Sequence, residues 1–128
     1  MPTPKRRLRT PPTKRFAGPE HRIDLESALA ALRREPHDAK DKHRQITVFR
    51  RGSLRLVLFS FEAGGRLAAH HAPGFVVIHT LRGRIRVLTP KETHELSAGA
   101  MLVLDPAVVH DVEALEEADV LLTVSITR

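Results

Sequence analysis

From Gln45 to the end of the chain, apolar residues return at every second position. Leu54, Leu56 and Leu58 alternate with Arg55, Val57 and Phe59; Ile85 and Val87 alternate with Arg84 and Arg86. Val120, Leu122, Val124 and Ile126 repeat the pattern. Successive strand side chains point to opposite faces, so this spacing reads as strands buried on one face. Turn residues cut the pattern into short pieces: Arg51-Gly52-Ser53, Gly64-Gly65, Pro73-Gly74, Gly83, Thr89-Pro90-Lys91 and Gly99. Eight or so short strands at this spacing predict an all-β sandwich or barrel.

The first 44 residues read differently. Leu25, Ala28, Leu29 and Leu32 recur at helical spacing, with Asp24 as N-cap, Glu26 in the first turn and Pro36 as a stop. One helix over residues 24–35 is expected, followed by a charged linker. Residues 1–19 hold Pro2, Pro4, Pro11, Pro12 and Pro19 and few large apolar side chains, which predicts a disordered arm. The expected organisation is an arm over 1–19, helix and linker over 20–44, and a barrel over 45–128.

Charge separates along the same boundary. Lys5, Arg6, Arg7, Arg9, Lys14 and Arg15 account for the whole formal charge of +6, because the remaining 15 basic residues meet 15 acidic ones. A nucleic-acid surface on the barrel is not expected. Nucleic acid would be met only through the arm, whose plainer role is that of a solvated tail. Without Cys, the chain has no disulfide, thiolate metal site or Cys nucleophile, and this suits a cytoplasmic setting. Tyr and Trp are also absent. No apolar run approaches the ~20 residues that span a bilayer, so no membrane role is expected. There is no phosphate-binding glycine loop, and no Ser lies in a nucleophile-elbow context.

Two segments carry histidines in a pattern with chemical meaning. Gly64 is followed after five residues by His70-His71-Ala72-Pro73-Gly74, then by the apolar run Phe75-Val76-Val77-Ile78-His79 and Gly83. Some thirty residues later comes Asp105-Pro106-Ala107-Val108-Val109-His110. Over residues 45–127 this resembles the paired motifs of the cupin superfamily, in particular small single-domain cupins whose motifs read like His-x-Ala-Pro-Gly and His-x-Val-x-Ala. The resemblance implies a double-stranded β-helix, a jelly-roll barrel. It also implies metal-ligand positions at His70 and His110. The first motif's second His is replaced here by Ala72 and its Glu by Val76. In the second motif, Asp105 stands for Pro, Ala107 for Gly and Ala114 for Asn.

Imidazole nitrogens bind Zn, Fe, Ni, Mn or Cu, and a catalytic ion takes about three protein ligands. His70 and His110 supply two. His71 and His79 are the candidates for a third. His71 points away from His70 on a regular strand unless a bulge at Pro73-Gly74 re-aims it. His79 falls on the other strand face from Val76 and needs a polar partner among apolar neighbours. His21, His37, His43 and His94 read as surface loop residues. Phe59, Phe61, Phe75, Met101 and Leu104 read as core or as the wall of a ligand pocket.

Three functions are compatible with this pattern. The first is a metal-binding cupin, an enzyme or not, that acts on a small molecule through His70 and His110. The second is a non-catalytic small-ligand-binding or sensing cupin whose histidines donate hydrogen bonds. The third is association with nucleic acid through the arm. The resemblance also implies a homodimer, for which strand edges and the helix stripe supply a physical motive.

Overall fold

The computed structural model describes residues 18–36 and 40–126, apart from the side chains of Ala69 and His70. The basic arm and His37 fall outside the described residues, so the expectations placed on them have no counterpart here. The described residues form one helix, α1 (Leu25–Leu32), and nine strands. These are β1 (His43–Arg51), β2 (Leu54–Phe61), β3 (Arg66–His70), β4 (Gly74–Arg82), β5 (Arg84–Leu88), β6 (Thr93–Ser97), β7 (Met101–Leu104), β8 (His110–Ala114) and β9 (Ala118–Ile126).

The strands make two antiparallel sheets. One has the order β1-β2-β9-β4-β7 and the other β3-β8-β5-β6. Their inner faces pack into one core. Phe59, Phe61, Val76, Ile78, Leu104, Ala118, Val120 and Leu122 come from the larger sheet; Ile85, Val87, Leu96, Val112 and Ala114 come from the smaller. This is the expected jelly roll, and the alternation read at 85/87 and 120/122/124 corresponds to inward-facing residues. On β2 the inward set is Arg55, Val57, Phe59 and Phe61, because these pair with Val124, Leu122, Val120 and Ala118 of β9. Leu54, Leu56 and Leu58 face outward.

The outward leucines are partly covered by α1. Asp24 caps the helix by accepting from the Ser27 N–H at 3.1 Å, and this bond holds the Asp24 carboxyl below its ordinary value. The helix is shorter than expected: it ends at Leu32, and Arg34 and Glu35 complete a tight turn through Ala31 and Leu32 carbonyls. Eight residues do not form a stable helix in water alone. Leu29 and Leu32 are buried against Leu58, with Ile46, Val48, Leu81 and Leu121 around them. Full burial of each leucine contributes about 2 kcal/mol.

A buried ion cluster locks the helix end to the barrel. Asp119 of β9, 1% exposed, accepts from Arg82 Nε at 2.8 Å and from Arg33, the helix C-cap. The carboxylate raises the Arg82 pKa above its ordinary value, chiefly through that hydrogen bond. A groove of about 700 Å³ opens beside this cluster, between α1 and the end of β4.

The outer faces of the two sheets contrast. On the smaller sheet, Arg66, Glu113, Arg86 and Glu95 pair in register to form a row of alternating charge. Arg86 lies 3.4 Å from Glu95 and 3.6 Å from Glu113. On the larger sheet, Phe75 (44% exposed), Met101 (57%) and Val103 (58%) stand open beside Val77, which is in register with Val103. Phe75 and Met101 are therefore not part of an internal pocket wall, whereas Phe59, Phe61 and Leu104 are core.

Deleting the carboxylate of Asp119 removes the shared partner of two arginines. Both are partly exposed and can rehydrate, so the cost is smaller than for stranding a buried charge. Asp119→Ala is expected to lower stability by about 1–3 kcal/mol in urea unfolding. A change below ~0.5 kcal/mol would mean that the cluster does not secure the helix.

Candidate functional site

The two ends of the barrel are built differently. At one end the connections are tight. Gly83 has φ +78 and lies against the backbone of Glu117 and Ala118, where a Cβ would overlap the Glu117 carbonyl. Gly64 and Ala114 bond through the backbone, and so do Ala114 and Gly65. Phe59 and Phe61 stack with ring centroids 5.7 Å apart and fill the interior there. His43 covers them: its ring centroid is 5.5 Å from each phenyl ring, and Nδ1 donates to the Arg66 carbonyl at 2.9 Å. His43 is thus the first residue of β1 and closes the seam between the sheets; it is not a loop histidine.

At the other end, the more open by side-chain burial, Val57, Ala72, Val108 and Val124 are partly buried against the core beside the buried Val76 and Leu104. The β1–β2, β3–β4, β5–β6 and β7–β8 connections gather around it. The Ala107 N–H bonds the Ala72 carbonyl at 2.9 Å, and the Ile126 N–H bonds the Ser53 carbonyl at 2.8 Å. Gly74 is needed where these connections meet, since a Cβ would overlap the Ser125 carbonyl oxygen. Ala107 sits at φ 69, in the region that glycine adopts without penalty. Its methyl group there costs about 1 kcal/mol relative to glycine.

His110 begins β8 at this end, on the inner face with Val112 and Ala114, and is 1% exposed. Its Nδ1 lies 3.0 Å from the Val108 carbonyl. A carbonyl only accepts, so Nδ1 carries the proton. Nε2, also buried, is the nitrogen that offers a lone pair in the neutral ring. The backbone of His70 is directly opposite His110 in the β3–β8 ladder, after a register shift between Leu67 and His70. The motif's two histidines thus meet as cross-strand partners at one end of the barrel.

The other expected ligands are placed elsewhere. His71 is exposed in the β3–β4 connection. His79 pairs with Leu121 and Met101 on the outer face of the larger sheet, where Leu121 packs against the helix. The larger sheet lies between His79 and the inward-facing His110. Among the described residues, no three His, Cys, Asp or Glu side chains converge to hold an ion.

Two inner-face residues at the open end escaped the sequence reading. His94 of β6 is half-buried, in register with Val87, and 3.9 Å from Glu92; it is not in a loop. Arg55 of β2 opens a row across the inner face that runs Arg55–Val124–Val76–Leu104. Its Nε is buried and has no hydrogen-bond partner among the described residues.

The His110 geometry has a direct spectroscopic consequence. Long-range ¹⁵N correlation spectra should place a proton on Nδ1; a ring protonated only at Nε2 would contradict the contact with Val108. His110→Ala should also cost about 1–3 kcal/mol in urea unfolding, because it leaves the Val108 carbonyl unbonded and opens a void.

Comparison with known proteins agrees with this architecture. The AraC-like ligand binding domain family matches residues 59–124, just over half of the chain. No curated protein matches the sequence. A cupin superfamily protein from Desulfitobacterium hafniense is similar in structure, with a TM-score of 0.70, 16% identity, and coverage of 85% of this chain and 94% of that one. A conserved Streptococcus pyogenes protein of unknown function has a TM-score of 0.64 at 25% identity, covering 70% and 78%. KdgF from Halomonas sp. has a TM-score of 0.63 at 23% identity, covering 72% and 86%. The chain belongs to the AraC-like ligand binding domain family and, through its jelly-roll barrel and paired histidine motifs, to the cupin superfamily.

Proposed function

We propose that this protein binds a small molecule in the open end of its barrel, between the inner faces of the two sheets. The observation that carries the reading is His110. It is an imidazole oriented by a backbone carbonyl, almost fully buried, and set on the inner wall beside the partly buried Val108 and Val124. Concave, mostly apolar sites with a few convergent polar groups are the usual form of small-ligand sites. Here Val57, Leu102, Val108 and Val124 supply the apolar lining, and His110, His94 and Arg55 the polar groups. An NMR fragment screen on the full chain should give hits that shift the Val57, Val112 and Val124 amide signals together. Hits confined to the outer groove beside α1 would move the site there.

A divalent metal on His70 and His110 is the second reading. The Nδ1–H bond of His110 favours it, because such a bond fixes the tautomer and orientation that a metal-ligating imidazole needs. The donor set does not complete it. Ala72 and Val76 have no lone pair to offer, and His71 and His79 lie on other surfaces. Two imidazoles plus water would hold an ion weakly. Protein purified without an affinity tag is expected to hold metal well below one equivalent, and fragment binding should survive chelator treatment. One equivalent of metal that disappears in His110→Ala would establish the metal reading instead.

We also propose a homodimer formed through the larger sheet's outer face. A row of paired charges suits the other outer face to water, whereas Phe75, Val77, Met101 and Val103 make a contiguous apolar patch beside the edge strand β7. Light scattering should give twice the chain mass, and M101E with V103E should give the monomer. A monomeric wild-type chain would overturn this.

A further inference from the structure

Arg55 is unusual among the residues that face the barrel interior. Its row neighbours Val124, Val76 and Leu104 are apolar, and Val57 is the next inward residue on its own strand. On β1 the residue directly opposite is Arg50. Like charges placed opposite each other in an antiparallel pair are destabilising. Neither arginine has an ion-pair partner among the described residues. The acids at hand lie elsewhere: Asp105 is exposed three strands away, just after Leu104, and Asp111 is on the outer face of β8, between the inward His110 and Val112. Four other arginines of the barrel wall, Arg44, Arg82, Arg84 and Arg86, meet carboxylates.

A guanidinium whose Nε is desolvated, held beside a second arginine and given no acid, is a poor element of a core. It is a good element of a site. Its planar fork of donors matches the two oxygens of a carboxylate, and the bond strengthens where water is excluded. We propose that Arg55 is the anion-recognising residue of the open end, and that the ligand class is a small organic carboxylate whose apolar body rests on Val57, Val124 and Leu102. This rests on the barrel-end reading given above. Arg50, being exposed, adds positive potential that draws the anion in without contacting it.

The test compares acids with their neutral twins on the full-length chain. Hexanoate and benzoate, with hexanamide and benzamide, are titrated while the amide signals of Val57, Val76, Leu104 and Val124 are followed. Each acid should bind about tenfold or more tighter than its amide, the size of one charge-assisted pair. R55Q should bring acid and amide to equal affinity, R55K should keep part of the preference, and R50Q most of it. The unliganded R55Q protein should melt at the same or a higher temperature than wild type, because it loses a like-charge pair; a purely structural arginine would give a lower one. If acid and amide bind this end equally, or R55Q binds acids as wild type does, Arg55 is not the anion site, although the small-molecule reading stands. If none of the four probes shifts signals at this end, both fall.

Discussion

The structure depends on the register of three central strands, β2, β9 and β4. Once Val57 is set against Leu122, and Leu122 against Ile78, every other side chain on these strands is assigned to the interior or to the outer face. A slip of one residue would turn Phe59 and Val120 outward and bring Leu58 and Leu121 in, exchanging the core for the face that receives the helix. Two close approaches hold the register. Gly74 lets β4 begin against the backbone of β9, and Gly83 lets the chain turn against Glu117 and Ala118. Side chains cannot replace either hydrogen, so both ends of β4 are tied to β9.

From this register follows the difference between the two ends of the barrel. At the tight end the aromatic pair Phe59 and Phe61 fills the cross-section, and His43 seals the seam with one ring nitrogen on a backbone carbonyl. At the other end no phenyl ring faces inward among the described residues, and the apolar inward residues there are aliphatic: Val57, Ala72, Val76, Leu104, Val108 and Val124. His110, His94 and Arg55 all stand at that end.

Much of the fold was legible because period-two alternation is a backbone property. The strand positions, the Asp24 cap and the two motif histidines all follow from local sequence. What stayed hidden is which face of a strand looks inward when both are apolar. On β2, Leu54-Leu56-Leu58 and Val57-Phe59-Phe61 are equally good cores; the helix decides, because Leu29 and Leu32 cover Leu58 from outside. On β4 the run Phe75-Val76-Val77-Ile78 has no alternation, so Phe75 could not be told from a core residue. His43 and His94 were read as loop histidines because polar neighbours surround them in sequence. Their apolar neighbours lie across the sheets. Arg55 was invisible for the same reason, since a charged residue in an alternating strand reads as solvent-facing unless its partner strand is known.

The motif departures are intelligible in the same frame. Ala72 and Val76 replace metal-ligand types at the open end, while His70 and His110 are kept as cross-strand partners. Ala107 replaces glycine yet retains the left-handed backbone, because its N–H still bonds the Ala72 carbonyl and holds the β7–β8 connection in place. Two of the motif's donor positions, His70 and His110, thus remain histidine, and two, Ala72 and Val76, do not. In the proposed reading, His110 and the inward Arg55 hold a ligand by shape and charge at the end of the barrel where the two motif segments meet.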